Sequence, residues 1–472
     1  MRLTGLLYIC ILVNNTIHAF EFDGYHKTPQ IETFLNNLHE KCPDITRVYN
    51  LKWENISRTT RGNPLTVIEF AKSPGRHVTG IPEFKYVANM HGDETVGREL
   101  LLMLASDLCV GYMSAIPRIQ RLINSTRIHL LPSMNPDGFD VSATSSGKDG
   151  RLNGNGVDLN RNFPNMDSVV FHNMGKENAP LDHLFTGSIN NSKFEPETKM
   201  VMQWMEDINF VLSANLHGGS MVVNYPYDSS PPGNSQLNET PDHPIFIELA
   251  LSYAGQNPEM RTGEHTCKDD DKHFEQGIVN GADWYPINGS MQDYSYLATN
   301  AFELTVELGC TKFPKASWLP VYWEQNKIAL LNFMTQVHRG VKGMIYGLDG
   351  VSVLPLPNVI VRVFNSTLEG EPSPITHNIW SGKDGDYYRL LTRGRFILMY
   401  EAPGFDTAVA CVDIDQVPSW NNGFQAAQTI NVLLLKSGLK DEYVELKDRL
   451  EKPVKFQASS RKPLVCSSDQ EE

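Results

Sequence analysis

The chain has 472 residues, 41% of them hydrophobic and 20% charged, and a net charge of −14 at pH 7. A chain of this length holds two or three domains, one of them large enough to bury an extensive core. The acidic balance excludes a nucleic-acid binder, which needs clustered Lys and Arg against phosphates, and it suits cationic substrates.

Residues 1–19 start with Met1-Arg2, continue through an apolar run from Leu3 to Val13 and end at Ala19. This is the pattern of a cleaved signal peptide, and it is too short to cross a bilayer. A buried N-terminal strand would leave the basic start and the small final residue without a reason. From Phe20 to Arg339 short apolar strands alternate with amphipathic helices, which predicts an α/β domain on a mixed sheet. Strands are expected at 65–70, 84–88, 127–131, 210–216 and 302–308, and helices at 31–40, 95–108, 195–208, 243–253 and 324–337. Stretches rich in Gly, Asn and Asp, such as 145–156, read as binding loops, whereas 229–241 reads as a solvated connector.

Beyond Gly340 the pattern changes to short strands of period two, at 341–346, 359–364, 387–391, 396–402 and 408–412, punctuated by Gly and Pro. An all-β sandwich over 340–435 is expected, in a supporting role because no cluster of ligand residues falls in it. Residues 436–472 read as a tail of mixed charge. Its stretch at 441–450 suits a solvated helix or partial disorder better than a membrane surface, since a basic bias is missing. No transmembrane segment or lipid anchor is expected, so the mature chain should be soluble and secreted, either to the extracellular space or through a secretory granule. Of seven cysteines six remain once Cys10 is removed, an even number that suits an oxidising compartment. Sequons for N-glycosylation at Asn55, Asn124, Asn190, Asn238, Asn288 and Asn365 agree with secretion.

The most informative residues are His91 and Glu94 in Met90-His91-Gly92-Asp93-Glu94-Thr95, with a distant His217 in Asn215-Leu216-His217-Gly218-Gly219. Positions i and i+3 at a helix start point the same way, so an imidazole and a carboxylate can grip one zinc ion while His217 closes a third corner. A fourth position left for water marks catalytic zinc rather than structural zinc. A His-x-x-Glu pair alone is more often a solvated helix face, and the surroundings must decide. His91, His217 and Glu307 lie at or just past the carboxyl ends of expected strands, where open α/β sheets gather functional groups, so one shared crevice is predicted.

Taken with Asp158-Leu159-Asn160-Arg161-Asn162-Phe163-Pro164, Phe302-Glu303-Leu304-Thr305-Val306-Glu307-Leu308 and Ser133-Met134-Asn135-Pro136-Asp137-Gly138, these motifs closely resemble the funnelin zinc carboxypeptidases. The likeness is nearest to the regulatory N/E branch of carboxypeptidases N, M and E, and it covers about residues 20–435. It implies a catalytic domain over 20–339, a transthyretin-like sandwich over 340–435 and one zinc ion per chain. The implied activity is release of C-terminal Arg or Lys from peptides and proteins. An accessory subunit is neither implied nor excluded.

The resemblance makes Glu307 the general base that takes a proton from the attacking water and returns it to the leaving amine. Glu303, four residues earlier, shares its strand parity, so alternation leaves both open. Arg151 would polarise the scissile carbonyl and steady the oxyanion, although by itself it reads as a solvent-facing loop arginine. Asn160 and Arg161 would hold the substrate's terminal carboxylate through a guanidinium fork. Tyr285 would fold over the bound C-terminus, while by composition alone it is a packed surface aromatic. Asp228 and Gln292 would select a basic side chain, a buried carboxylate discriminating strongly because an apolar side chain leaves it unpaired. Without the resemblance Asp228 is a turn residue before Ser-Ser-Pro-Pro.

By the same likeness Cys42 would pair with Cys109 and Cys267 with Cys310, leaving Cys411 or Cys466 free or used between chains. Two other functions stay open: a catalytically silent binding homologue, and a carboxypeptidase of non-basic specificity.

Overall fold

In the computed structural model the chain is described over residues 24–166, 170–171, 193–264, 267–268, 270, 272–366, 371–421, 427–439 and 456–458. The expected leader, the sequon at Asn190, Cys466 and the 441–450 stretch lie outside these residues.

The first part of the chain is organised on an eight-stranded mixed sheet. Its strands are β1 (Thr46–Asn50), β2 (Thr66–Phe70), β3 (Glu83–Ala88), β4 (Arg127–Leu131), β5 (Phe210–His217), β6 (Met221–Tyr225), β7 (Ile278–Asn280) and β8 (Phe302–Leu308), in the order β1-β2-β4-β3-β5-β8-β6-β7. Strands β4, β3, β5 and β8 run parallel at its centre, while β1, β2 and β6 join antiparallel. Every residue of β3, β5 and β8 is buried. Such strands are covered on both faces, so their polar residues, among them Lys85, Ser213, Asn215, Glu303 and Thr305, are buried along with the apolar ones.

The covering helices are α1 (Thr28–Lys41), α2 (Val96–Met113), α3 (Pro117–Ser125), α4 (Pro136–Ser145), α5 (Pro196–Asp207), α6 (His243–Ala254), α7 (Met291–Ala298) and α8 (Leu319–Thr335). Helix α8 starts five residues before the expected 324, because Pro320 sits in its first turn, where a missing N–H costs nothing. Helix α2 runs on to Met113, with fourteen of its residues buried from Val96 to Gly111. Disulfides join Cys42 to Cys109 and Cys267 to Cys310, the pairings the resemblance implied. Cys411 is disulfide-bonded as well, which corrects the expectation that it could be free.

The second part is all β: β9 (Val341–Leu348), β10 (Val353–Pro355), β11 (Ile360–Asn365), β12 (Ser373–Trp380), β13 (Asp386–Arg389), β14 (Gly394–Glu401), β15 (Ala408–Ile414), β16 (Gln428–Thr429), β17 (Asn431–Leu435) and β18 (Phe456–Ala458). One sheet runs β12-β11-β14-β15, and the other is centred on β9. Alternate residues of β9 and β15 point into a shared core with Val361, Leu398, Tyr400 and Val432. Strand β18 pairs in parallel with β17, so the segment after 436 is not only the charged tail expected. Three residues are too few to carry a readable period.

The two parts share buried contacts. Arg389, fully buried on β13, bonds Asp242 at the start of α6 at 2.7 Å. His377 stacks on Tyr296 with ring centroids 3.9 Å apart. His77 bridges Glu83 of β3 and Asp386 of β13, at 2.8 Å to each. Burial opposes a charge there, but the bonds to Asp386 and Glu83 outweigh it and push His77 up to about 9. No single helix among the described residues is long and apolar enough to cross a membrane.

Candidate metal centre and cleft

Strand β3 ends at Ala88, and Asn89 turns the chain through a left-handed conformation, φ 56°, that asparagine tolerates. Its Nδ2 donates to the carbonyls of His91, Gly92 and Glu94 at 3.0, 3.2 and 3.1 Å, so one side chain braces the whole ligand loop. Gly92 lets that loop lie against α4: a Cβ there would fall 2.2 Å from the Gly138 carbonyl carbon. Glu94 then precedes α2, and His217 ends β5.

The three side chains converge, as the spacing predicted. His217 Nδ1 is 2.8 Å from one oxygen of Glu94 and His91 Nδ1 is 3.0 Å from the other, with the two ring nitrogens 3.2 Å apart. All three are buried, and their ligand atoms lie within 4.8 Å of one another. His91 Nε2 faces Asp158 Oδ1 at 3.1 Å, which fixes the ring and leaves the Nδ1 lone pair aimed inward. Burial pushes His217 down and so keeps it neutral. Two imidazoles and one carboxylate, oriented this way, fit a divalent ion of the zinc type with a coordination position to spare.

Arg151 stands beside this centre. Asp158 Oδ2 accepts from its Nε and Nη2 at 3.1 and 2.8 Å, and its Nη1 lies 3.2 Å from His91 Nδ1. Burial works against the Asp158 charge, yet the bond to His91 and the charges of His91, Arg151 and Arg161 hold it well below the usual carboxylate range. Lys312 adds a second cation, 2.9 Å from Glu94.

A small cleft joins His91, His217, Arg151, Asn160, Arg161, Asp228, Tyr285 and Glu307. Glu307 is 8% exposed and pairs in register with His217. Burial pushes its carboxyl up to about 8, with the Glu94 charge adding to the effect. Glu303, which alternation could not separate from it, lies deeper, bonded to the buried Lys85 and to Ser213 Oγ, and it does not line the cleft.

Asn160 Oδ1 accepts from the Met291 amide at 3.1 Å, and Arg161 donates to the Asn160 carbonyl at 2.9 Å. Tyr285 follows a short helical turn at Gly281–Trp284 and is 46% exposed. Asp228 is buried, its Oδ1 accepting from Asn224 Nδ2 at 3.2 Å and Gln292 Nε2 at 3.0 Å. Burial pushes Asp228 up to about 6, against Ser290, Asn224 and Arg161. Gly281 makes the space, since a Cβ there would sit 2.1 Å from Asp228 Oδ1. Gln292 thus reaches the cleft through Asp228, with its own Oε1 unpartnered among the described residues.

Sequence reasoning gave no role to Asp158, Lys312 or Asn224. Asp158 had a signal, an acid inside the Arg151 to Asn160 loop. Lys312 and Asn224 are single polar residues with no spacing to mark them.

Comparison with known proteins agrees with this geometry. A zinc carboxypeptidase family model matches residues 31–329, more than half of the chain. Carboxypeptidase E of Caenorhabditis elegans is 40% identical over 436 residues, covering 87% of this chain and 90% of that one. The carboxypeptidase N catalytic chain of Mus musculus is 42% identical over 401 residues, covering 83% of each. Among solved structures, thrombin activatable fibrinolysis inhibitor aligns over 68% of this chain and 78% of its own at a TM-score of 0.51 and 18% identity, a likeness of fold. With relatives at this identity over nearly the whole chain, the protein belongs to the zinc carboxypeptidase family, as a metallocarboxypeptidase of its regulatory N/E branch.

Proposed function

We propose that this chain is a secreted enzyme that binds one zinc ion through His91, Glu94 and His217 and removes C-terminal Arg or Lys from peptides and proteins. The all-β part is taken as a transthyretin-like sandwich that supports the peptidase part. Zinc held there would supply Lewis acidity, polarising the scissile carbonyl and activating the attacking water.

The protein's own residues do the rest. Glu307 takes the proton of the attacking water and delivers it to the leaving amine, a task suited to a carboxyl whose burial raises its proton affinity toward neutrality. Arg151, fixed by Asp158, presents a guanidinium to the oxygen where charge develops. Asn160 and Arg161 receive the terminal carboxylate, and Tyr285 folds over the bound end from the mouth.

One observation carries the specificity: a buried carboxylate, Asp228, lines the cleft beside Gln292. An incoming guanidinium or ammonium satisfies it, whereas an aliphatic side chain leaves it desolvated and unpaired. The test is hydrolysis of dansylated peptides ending in Arg, Lys or Leu by the wild type and by Asp228→Ala. Selective loss of turnover on Arg and Lys is expected. Unchanged preference in the variant would refute the basic pocket.

A further inference from the structure

We propose that Asn288 carries an N-linked oligosaccharide that screens the mouth of the cleft and confines the enzyme to slender, flexible C-termini, an inference that rests on the chain being secreted. Asn288-Gly289-Ser290 is an acceptor sequence. Asn288 is exposed and follows Ile287, which lines the cleft together with Tyr285.

Its loop is held from two sides. On one, the Ile287 amide donates to the Asp228 carbonyl at 2.8 Å and Ser229 Oγ donates to Asn288 Oδ1 at 2.9 Å. On the other, the Phe163 amide donates to the Gly289 carbonyl at 3.0 Å. Gly289, at φ +75°, sits so close that a Cβ would lie 2.8 Å from the Arg161 carbonyl oxygen. The side-chain oxygen of Asn288 is therefore pinned, while its amide nitrogen, the atom that takes the sugar, makes no hydrogen bond among the described residues.

Asn238 is the contrast. It is 4% exposed and its Nδ2 donates to the Ser229 carbonyl at 2.7 Å, which leaves no room for a glycan in the folded chain. Ser290 also caps α7 by accepting from the Asp293 amide. Capping explains a serine there, but not an exposed asparagine two residues before it.

In the transfer, Asn288 Nδ2 gives up a proton to the transferase and bonds to the anomeric carbon of a lipid-diphosphate-linked oligosaccharide. The bond from that carbon to the diphosphate oxygen breaks, and the lipid diphosphate leaves with the electron pair. Attached between the Asp228 and Arg161 walls, the oligosaccharide leaves a passage for an extended peptide and obstructs a C-terminus close to a folded surface.

The full chain, secreted from a glycosylating cell, is digested and its glycopeptides are weighed. Sugar on Asn288 is expected, with Asn55, Asn124 and Asn365, all exposed, as references. Sugar on the references with Asn288 bare overturns this inference alone, and a chain bare at every sequon overturns the secreted reading with it. Kinetically, Asn288→Gln is expected to raise kcat/KM on a folded protein ending in Lys by about threefold or more, with a tripeptide ending in Lys unchanged. Equal effects on both substrates overturn the screening role. Endoglycosidase trimming of the wild-type enzyme should give the same split, and it decides the matter if the variant fails to fold.

Discussion

His217 and Glu307 occupy paired positions on the neighbouring parallel strands β5 and β8. One cross-strand pair therefore sets a candidate metal ligand beside the proposed base, on two fully buried strands of the sheet. If Glu307 works only as a base, its amide isostere should keep the centre and lose the chemistry. Glu307→Gln is expected to retain one zinc per chain by elemental analysis and to lose roughly 10²- to 10⁴-fold in kcat on an Arg-terminated peptide. A variant that keeps turnover would remove Glu307 from the mechanism.

Asp158 serves His91 and Arg151 with different oxygens. Asp158→Asn should weaken zinc about 10- to 100-fold in a chelator competition, because the ring of His91 loses the charge that orients it. Removal of the metal from the wild type should abolish hydrolysis, and added zinc should restore it. Unchanged zinc affinity in the variant would mean that the Asp158 bond does not reach the metal.

Asp228 is pushed up to about 6 by burial, so in the free enzyme it is ionised at neutral pH and protonated in mild acid. KM for an Arg-terminated peptide is expected to rise as pH falls below about 6, and this dependence should vanish in Asp228→Asn. An identical pH profile of KM in both proteins would assign the titration elsewhere.

His77 ties stability to pH in the opposite sense. Its folded value of about 9 lies above its ordinary 6.5. The stabilisation is fully present below 6.5 and is lost as pH rises through 9, because the deprotonated ring no longer offers two donors to Glu83 and Asp386. Because solvent reaches part of the ring and screens it, urea unfolding should show a loss of about 1–2 kcal/mol over that window, and His77→Gln should flatten the slope. A slope unaltered in the variant would exclude His77 as its source.

Much of this was legible from residues alone. The buried strands β3, β5 and β8 announce themselves by short stretches of apolar residues at adjacent or alternate positions, and the groups past their ends follow from the geometry of parallel sheets. What stayed hidden depended on partners distant in sequence. Glu303 and Glu307 are equivalent by strand parity, and in the fold Lys85 on β3 and Ser213 on β5 separate them by binding Glu303 in the interior. Asp158 stands in a motif that gives it no role, and its contact with His91 at 3.1 Å bridges 67 residues of chain. The edge strands β7, β16 and β18 are two or three residues long, too short for periodicity to register.

The buried Arg389–Asp242 bond and the stacking of His377 on Tyr296 mean that neither half of the chain closes its own interior. A protease that clipped the link after His338 would not liberate a trimmed, working peptidase, since the severed half would leave Asp242 as a stranded anion beneath bare aromatic surface. The second part is therefore built into the stability of the first and is not a detachable module.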